Sequence, residues 1–316
     1  MHRTGDASVL QVEDVQLPPP GPGEVQLRHT AIGLNFIDVY LRSGLYTSQL
    51  PMVPGQEAAG EVVAVGDGVT ALKPGMRVAY AGALGAYCEA RNIKAEVLVR
   101  VPDGVDDVTA AAVMLKGMTA HMLLFGVRQT KRDETLLFHA AAGGVGQLVT
   151  QWARHLGATV IGTVGSEAKA ALARANCHHV LVTSDGDWLA KVKALTGGRG
   201  VDAAYDSVGK DTLLQSIEAV RNRGMVVSFG QSSGKPPPVE MAMLGGARSL
   251  FLTRPSLHGW NHERHELEAR AAALFEVLAS GAVKLAAPTQ CKLGDVADAH
   301  RALEGRQTTG SVVLIP

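Results

Sequence analysis

Thr135-Leu-Leu-Phe-His-Ala-Ala-Ala-Gly-Gly-Val-Gly146 is an apolar strand pattern that runs into three glycines and at once into a helical pattern over 144–156. Glycines at such a junction permit a tight turn, let a pyrophosphate approach the backbone, and allow the helix to pack closely on the strand. The helix start offers unpaired N–H groups and the positive end of its dipole. The signature is AxxGGxG rather than GxGxxG and gains its weight from the alternation downstream of it. Strand patterns at 159–164, 180–183, 201–206 and 224–229 alternate with helical patterns at 167–175, 188–195 and 212–219. That rhythm predicts a doubly wound parallel sheet of the Rossmann type. In such a fold an acid at the tip of the second strand binds the ribose of NAD. Here the tip is Gly165-Ser166, and Lys169 follows one turn into the next helix. A cation there suits a 2′-phosphate, so NADPH is the expected cofactor. Ser166 is expected to cap that helix, with Glu167 in its first turn.

On either side the pattern differs. The first third shows short alternating runs at 25–28, 60–66, 77–81 and 97–101. Between them lie turn signals such as Pro19-Pro20-Gly21-Pro22-Gly23 and Lys73-Pro74-Gly75. A helical, Ala- and Met-rich stretch at 109–127 leads into the sheet, and a helix at 265–280 leads out toward a closing strand at 311–316. The expectation is a Rossmann domain over 114–256, inserted into a mostly β domain, a small barrel or sandwich, made of 1–113 and 257–316. The chain has 316 residues, 46% of them hydrophobic and 19% charged, ample for two cores. Its 30 basic and 30 acidic residues balance, which argues against a dedicated nucleic-acid surface. Three scattered cysteines fit a reduced, cytoplasmic protein. No stretch reads as a membrane span.

Motifs along the chain carry a family resemblance: Gly33-Leu-Asn-Phe-Ile-Asp38, Tyr40, Arg42-Ser-Gly-Leu-Tyr46, Pro54-Gly-Gln-Glu-Ala-Ala-Gly60, Leu115-Lys-Gly-Met-Thr119, Tyr205-Asp-Ser-Val-Gly209, Val227-Ser-Phe-Gly230, Thr253-Arg-Pro-Ser256 and Gly310-Ser-Val-Val-Leu-Ile-Pro316. The series closely resembles the zinc-independent NADPH:quinone oxidoreductases, relatives of zeta-crystallin in the medium-chain dehydrogenase/reductase superfamily. The resemblance implies a GroES-like β domain with a Rossmann insertion, a homodimer, and reduction of quinones by hydride or electron transfer without zinc or flavin. Zinc-dependent relatives have Cys where this chain has Asn35, and GHE where it has Gly55-Gln56-Glu57; Asn and Gln are poor zinc ligands.

By the same resemblance, Asn35 sits by the nicotinamide ribose and the substrate, and Tyr40 and Tyr46 line the cleft. Asn35 or Tyr46 would stabilise charge on a quinone oxygen by hydrogen bonding. Thr119, Gly143, Gly144, Val145, Gly146, Gly165, Ser166, Lys169, Ser207, Phe229, Gly230, Ser232 and Arg306 are the expected cofactor contacts. Val182-Thr183-Ser184 stands where relatives often have an adenosine-stacking Tyr. The first strand of relatives is missing or shortened, leaving an edge to be covered. His139 reads as a buried strand end, and His258, His262 and His265 as a polar helix start rather than a metal site. Two other functions fit this fold: reduction of an activated C=C bond in an enone or enoyl thioester, and a non-catalytic NADPH-binding, crystallin-like or RNA-binding role.

Overall fold

The computed structural model describes Met1–Pro316 as two compact units. The first comprises Met1–Met118, Asn261–Ala279 and Leu285–Pro316, and the second Thr119–Trp260 with Ser280–Lys284. Five strands arise before the second unit: β1 (Glu24–Leu34), β2 (Glu57–Val65), β3 (Arg77–Ala81), β4 (Ala90–Lys94) and β5 (Val99–Arg100). The second unit contributes β6 (Thr135–Phe138), β7 (Thr159–Val164), β8 (His179–Val182), β9 (Val201–Asp206), β10 (Val220–Ser228) and β11 (Phe251–Thr253). The chain closes with β12 (Thr289–Lys292) and β13 (Val312–Ile315).

In the first unit these strands form one sheet of order β12-β13-β1-β2-β3-β5, with β4 also paired to β1. β1 is far longer than the 25–28 run suggested, because it pairs with β4 and β2 at one end and with β2 and β13 at the other. Alternate side chains such as Val25 and Leu27 are fully buried, as a sheet with one covered face requires. They join Val62, Val78, Tyr80, Leu98 and Leu314 in the core. β4 was not visible in the sequence: Ala-Arg-Asn-Ile-Lys has one buried apolar residue, Ile93. The segment before β1 forms no strand. It is tied along β4 instead, where Asn92 Nδ2 donates to the Pro18 carbonyl at 2.9 Å and Lys94 Nζ to the Pro22 carbonyl at 3.3 Å.

The second unit is a parallel sheet of order β11-β10-β9-β6-β7-β8. The order steps outward in both directions from β6 and β9, which makes their carboxyl ends the switch point of the sheet. Its core holds Leu137, Ile161, Trp188, Val192, Ala204 and Val226.

The helix expected over 109–127 starts at Asp107 and changes to a wider, i→i+5 turn at Met122–Gly126, where Val127 N–H donates to the Met122 carbonyl. Over Asp107–Gly126 it is, contrary to the sequence expectation, long and apolar enough to span a bilayer, with a mean hydropathy of 1.5. Two thirds of that apolar window is buried inside the protein, so its surface is spent on the core.

Candidate functional site

In the second unit β6 delivers the glycine turn to the switch point. Gly143 is the extended residue before helix Gly144–His155, whose first N–H groups have no intrahelical acceptor. Gly146 has no room for a side chain: a Cβ would lie 2.4 Å from the Ala140 carbonyl oxygen. A glycine is therefore what lets this helix start press against the turn. Gly165, at the end of β7, is the opposite case. Nothing lies within 4 Å of where its Cβ would stand, so its backbone is open to a ligand. Ser166 stands at the N-cap position of helix Glu167–Arg174, but its side chain makes no capping bond, which corrects the expected role. Glu167 pairs with Arg174 on the exposed face at 2.8 Å. Lys169 is half-buried on the first turn of the same helix. At the end of β8, Thr183 Oγ1 donates to the Val164 carbonyl, tying that tip to β7.

A buried polar chain underlies the turn. His139 sits between Thr163 Oγ1 (2.8 Å from Nδ1) and Ser216 Oγ (2.9 Å from Nε2). The single Ser216 hydroxyl proton is shared between two pure acceptors, Asp206 at 2.8 Å and the Thr212 carbonyl at 3.0 Å, so His139 donates from Nε2 and accepts at Nδ1. Burial depresses the His139 pKa, consistent with that neutral ring. Asp206 also accepts from Val208 N–H, Gly209 N–H and Thr212 Oγ1. These bonds shape the loop after β9 and hold Ser207 beside β10. The Ser207 carbonyl accepts from Ser232 N–H, and Gly230 packs so close that a Cβ would lie 2.8 Å from that oxygen. Phe229 stacks near Phe138 at 5.7 Å between ring centres. Gly143, Gly144, Val145, Gly146, Gly165, Ser166, Lys169, Ser207, Phe229, Gly230 and Ser232 therefore all follow the carboxyl ends of parallel strands, in the turns or in the first turns of the helices after them. Thr119 lies in the last turn of helix Asp107–His121. A cavity of about 490 Å³ in this unit, lined by Val127, Met225, Arg254 and Trp260 among others, includes none of these residues.

In the first unit β1 ends at Leu34, and Asn35 then starts helix Phe36–Ser43; Gly44, with φ 80°, stops it. Tyr46 N–H then donates to the Tyr40 carbonyl at 3.0 Å, and the Tyr46 ring meets Tyr40 edge-on at 5.2 Å. Asn35 is buried, and its Nδ2 donates to Glu57 Oε2 at 2.8 Å and, at 3.4 Å, to the Gly33 carbonyl. Glu57, fully buried at the start of β2, also receives Leu115 N–H on Oε1 at 2.6 Å and Lys116 Nζ on Oε2 at 3.1 Å. Arg306 lies in this unit too, exposed in a left-handed turn just after helix Val296–Glu304.

A second chain runs from Asn35 in another direction. Its backbone N–H donates to Asp38 Oδ2, which also accepts from Tyr87 Oη at 3.0 Å; that hydroxyl lies 3.0 Å from His300 Nε2. Burial pushes the Asp38 carboxyl up to about 7, against the pull of Asn35 N–H and Tyr87. Burial, helped by Arg42, pushes His300 down to about 3.

Sequence reasoning did not single out Glu57, Lys116, Asp38, Tyr87, His300 or Asp206 as site residues. A signal existed for Lys116: one cation amid Ala-Ala-Val-Met-Leu-Lys-Gly-Met-Thr-Ala needs a buried partner.

These residues do not suit zinc. Asn35 and Gln56 supply neither imidazole nor thiolate, Glu57 is filled by three protein donors, and nowhere do three His, Cys, Asp or Glu side chains gather as a metal site.

Two family models match the chain: the alcohol dehydrogenase GroES-like domain over residues 21–125 and the zinc-binding dehydrogenase over 144–274. A quinone oxidoreductase of Pseudomonas aeruginosa is 46% identical, covering 99% of this chain and 97% of that protein. A 2-haloacrylate reductase of a Burkholderia species is 44% identical, covering 100% and 98%. The crystal structure of the Escherichia coli quinone oxidoreductase complexed with NADPH superposes with a TM-score of 0.97 at 44% identity, covering 100% and 98%.

Proposed function

The chain belongs to the quinone oxidoreductases of the medium-chain dehydrogenase/reductase superfamily, and from that premise we propose that it reduces quinones with NADPH and without zinc. The observation that carries this reading is the end-to-end similarity to quinone oxidoreductases, through both units. When bound, NADPH supplies the hydride. The chain's own residues bind and orient. The N–H groups that open helix Gly144–His155 take the pyrophosphate, the open backbone of Gly165 permits close approach, and Ser166 and Lys169 receive the 2′-phosphate. Ser207, Phe229, Gly230 and Ser232 form the next stretch of the groove, with the Asp206–Ser216–His139 chain holding their loops from below. Thr119 and Arg306 contribute further contacts. Asn35, Tyr40 and Tyr46 line the reacting end, and the aromatic faces of Tyr40 and Tyr46 suit a flat acceptor.

Zinc independence is supported by Glu57, whose neutralising cation is Lys116. A homodimer is supported by the outer strand β11: its Phe251 is 57% exposed, and an uncovered strand edge bearing an aromatic side chain favours pairing with a second copy. The balanced charge and the three free cysteines support a cytoplasmic enzyme with no nucleic-acid or membrane partner.

The similarity to 2-haloacrylate reductase favours a second reading, reduction of an activated C=C bond. Oxidation of NADPH is followed at 340 nm with 1,4-benzoquinone, with an enone and with 2-chloroacrylate, and each is repeated with NADH. Fast turnover of the quinone with NADPH is expected. Turnover of the alkenes alone would replace quinone reduction by alkene reduction.

A further inference from the structure

Three of the motifs in this chain meet at one carboxylate. Gly33-Leu-Asn35 brings the Asn35 amide, Gln56-Glu57 brings the acid, and Leu115-Lys116 brings a backbone N–H and an ammonium. Gly33 makes the meeting feasible, because a Cβ there would lie 2.2 Å from Glu57 Oε2. Both charges of the Glu57–Lys116 pair are buried. A buried ion pair is a weak source of stability, since desolvation offsets the attraction, but it fixes geometry because both groups must keep their partners.

That geometry decides which end of the Asn35 amide is available. A carboxylate can only accept, so the amide must turn its NH₂ toward Glu57. The same nitrogen also lies 3.4 Å from the Gly33 carbonyl oxygen. The amide nitrogen is directed inward, while the carbonyl oxygen Oδ1 faces the Asp38 N–H in the capping box of helix Phe36–Ser43 and keeps a second lone pair to offer. The expectation that Asn35 donates to a negative quinone oxygen therefore meets an obstacle: its donors are engaged.

We propose that Glu57, neutralised by Lys116, is a positioning residue that locks Asn35 as a hydrogen-bond acceptor for a hydroxyl or N–H group of NADPH. The proposal rests on NADPH being the cofactor and on Asn35 lying in the site. It removes Asn35 from the stabilisation of charge on the substrate. It also gives Glu57 a task that needs an acid at that position: a residue able to present a donor would leave the amide free to flip.

The test exchanges donor and acceptor between positions 35 and 57. Asn35→Asp alone sets two acceptors against each other and is expected to weaken NADPH binding at least tenfold. Glu57→Gln alone leaves Lys116 without its anion and lets the Asn35 amide turn over, with a loss of similar size. In Asn35→Asp/Glu57→Gln the new glutamine donates to the new aspartate, which still offers an oxygen acceptor to the cofactor, and Lys116 keeps a carboxylate nearby.

NADPH dissociation constants, read by nicotinamide fluorescence, are expected to return in the double variant to within about threefold of the parent, and the midpoint of thermal unfolding to recover with them. Two losses that simply add in the double variant would overturn the positioning role. If instead affinity and Tm recover while kcat with benzoquinone stays a hundredfold down, Asn35 acts as a donor to the substrate and the acceptor assignment is wrong. Because affinity and unfolding are read without turnover, a failure to reduce quinones counts against the proposed reaction and leaves these two readouts to decide the positioning role.

Discussion

Replacing Gly33 by Ala tests the Glu57 site by geometry alone. The added methyl would lie 2.2 Å from Glu57 Oε2 and 2.3 Å from the Ala111 carbonyl oxygen, more than 1 Å short of the 3.4 Å at which contact becomes ordinary. Neither neighbour is a flexible chain end: the carboxylate is held by Asn35, Leu115 and Lys116, and the carbonyl belongs to a helix. Overpacking of this kind costs about 1–3 kcal/mol. Displacing the carboxylate weakens hydrogen bonds to a buried charge worth about 1.5–3 kcal/mol each. The combined loss is about 3–5 kcal/mol, confined to the first unit. With a guanidinium slope of about 4 kcal/mol/M, it moves the midpoint of that unit down by about 1 M.

The aromatic residues allow the two units to be read separately. Tyr40, Tyr46, Tyr80 and Tyr87 lie in the first, while Trp152, Trp188 and Trp260 lie in the second together with Tyr205. Near-ultraviolet dichroism of tyrosine therefore follows chiefly the first unit, and tryptophan fluorescence the second. Gly165→Ala serves as the control, since nothing lies near its Cβ, and should change stability by no more than about 0.5 kcal/mol. A loss below about 1 kcal/mol for Gly33→Ala, or one matching the control, would refute the packed carboxylate.

Three further outcomes are expected. Asp38, raised to about 7 from about 3.9 when unfolded, stabilises the fold fully below about pH 4 and loses that contribution as pH rises through 7. His300, lowered to about 3 from about 6.5, stabilises fully above about pH 6.5 and loses it as pH falls toward 3. The two slopes, about 1.4 kcal/mol per pH unit each, oppose one another between about pH 4 and 6.5, so Asp38→Asn should steepen acid destabilisation by about that much; urea unfolding at pH 4.5, 5.5 and 6.5 that shows no change in slope would contradict it. Lys169→Ala should raise the dissociation constant of NADPH about tenfold and leave that of NADH unchanged; equal effects on both would remove the lysine from the 2′-phosphate. For the proposed homodimer paired through β11, the parent should sediment as a dimer and Phe251→Glu as a monomer; a monomeric parent would remove the homodimer, and a dimeric variant would remove β11 as its contact.

The second unit was legible in the sequence because its information is local. An apolar strand, a glycine turn and a helix follow within a dozen residues at 135–146, and the alternation continues, so sequence order and spatial order nearly coincide. The first unit was legible mainly as punctuation. β1 was read as four residues and β4 not at all, because pairing across the sheet extends the first and creates the second. Ser166 shows the limit of local rules: its position suits a cap, yet its side chain makes none.

The glycines, the apolar periodicity, Lys169 and the absence of Cys at 35 are properties of the sequence by itself. From them follow the doubly wound sheet, the preference for NADPH and the lack of zinc ligands. The tertiary structure alone decided which end of the Asn35 amide is offered, because the deciding acid is 22 residues away and the deciding cation 59 residues beyond that. It also decided that Asp38, Tyr87 and His300 form one buried chain, since 213 residues separate the last two. A donor's orientation and a carboxyl's protonation depend on what lies within about 3 Å, and across such separations in sequence only folding supplies that neighbour.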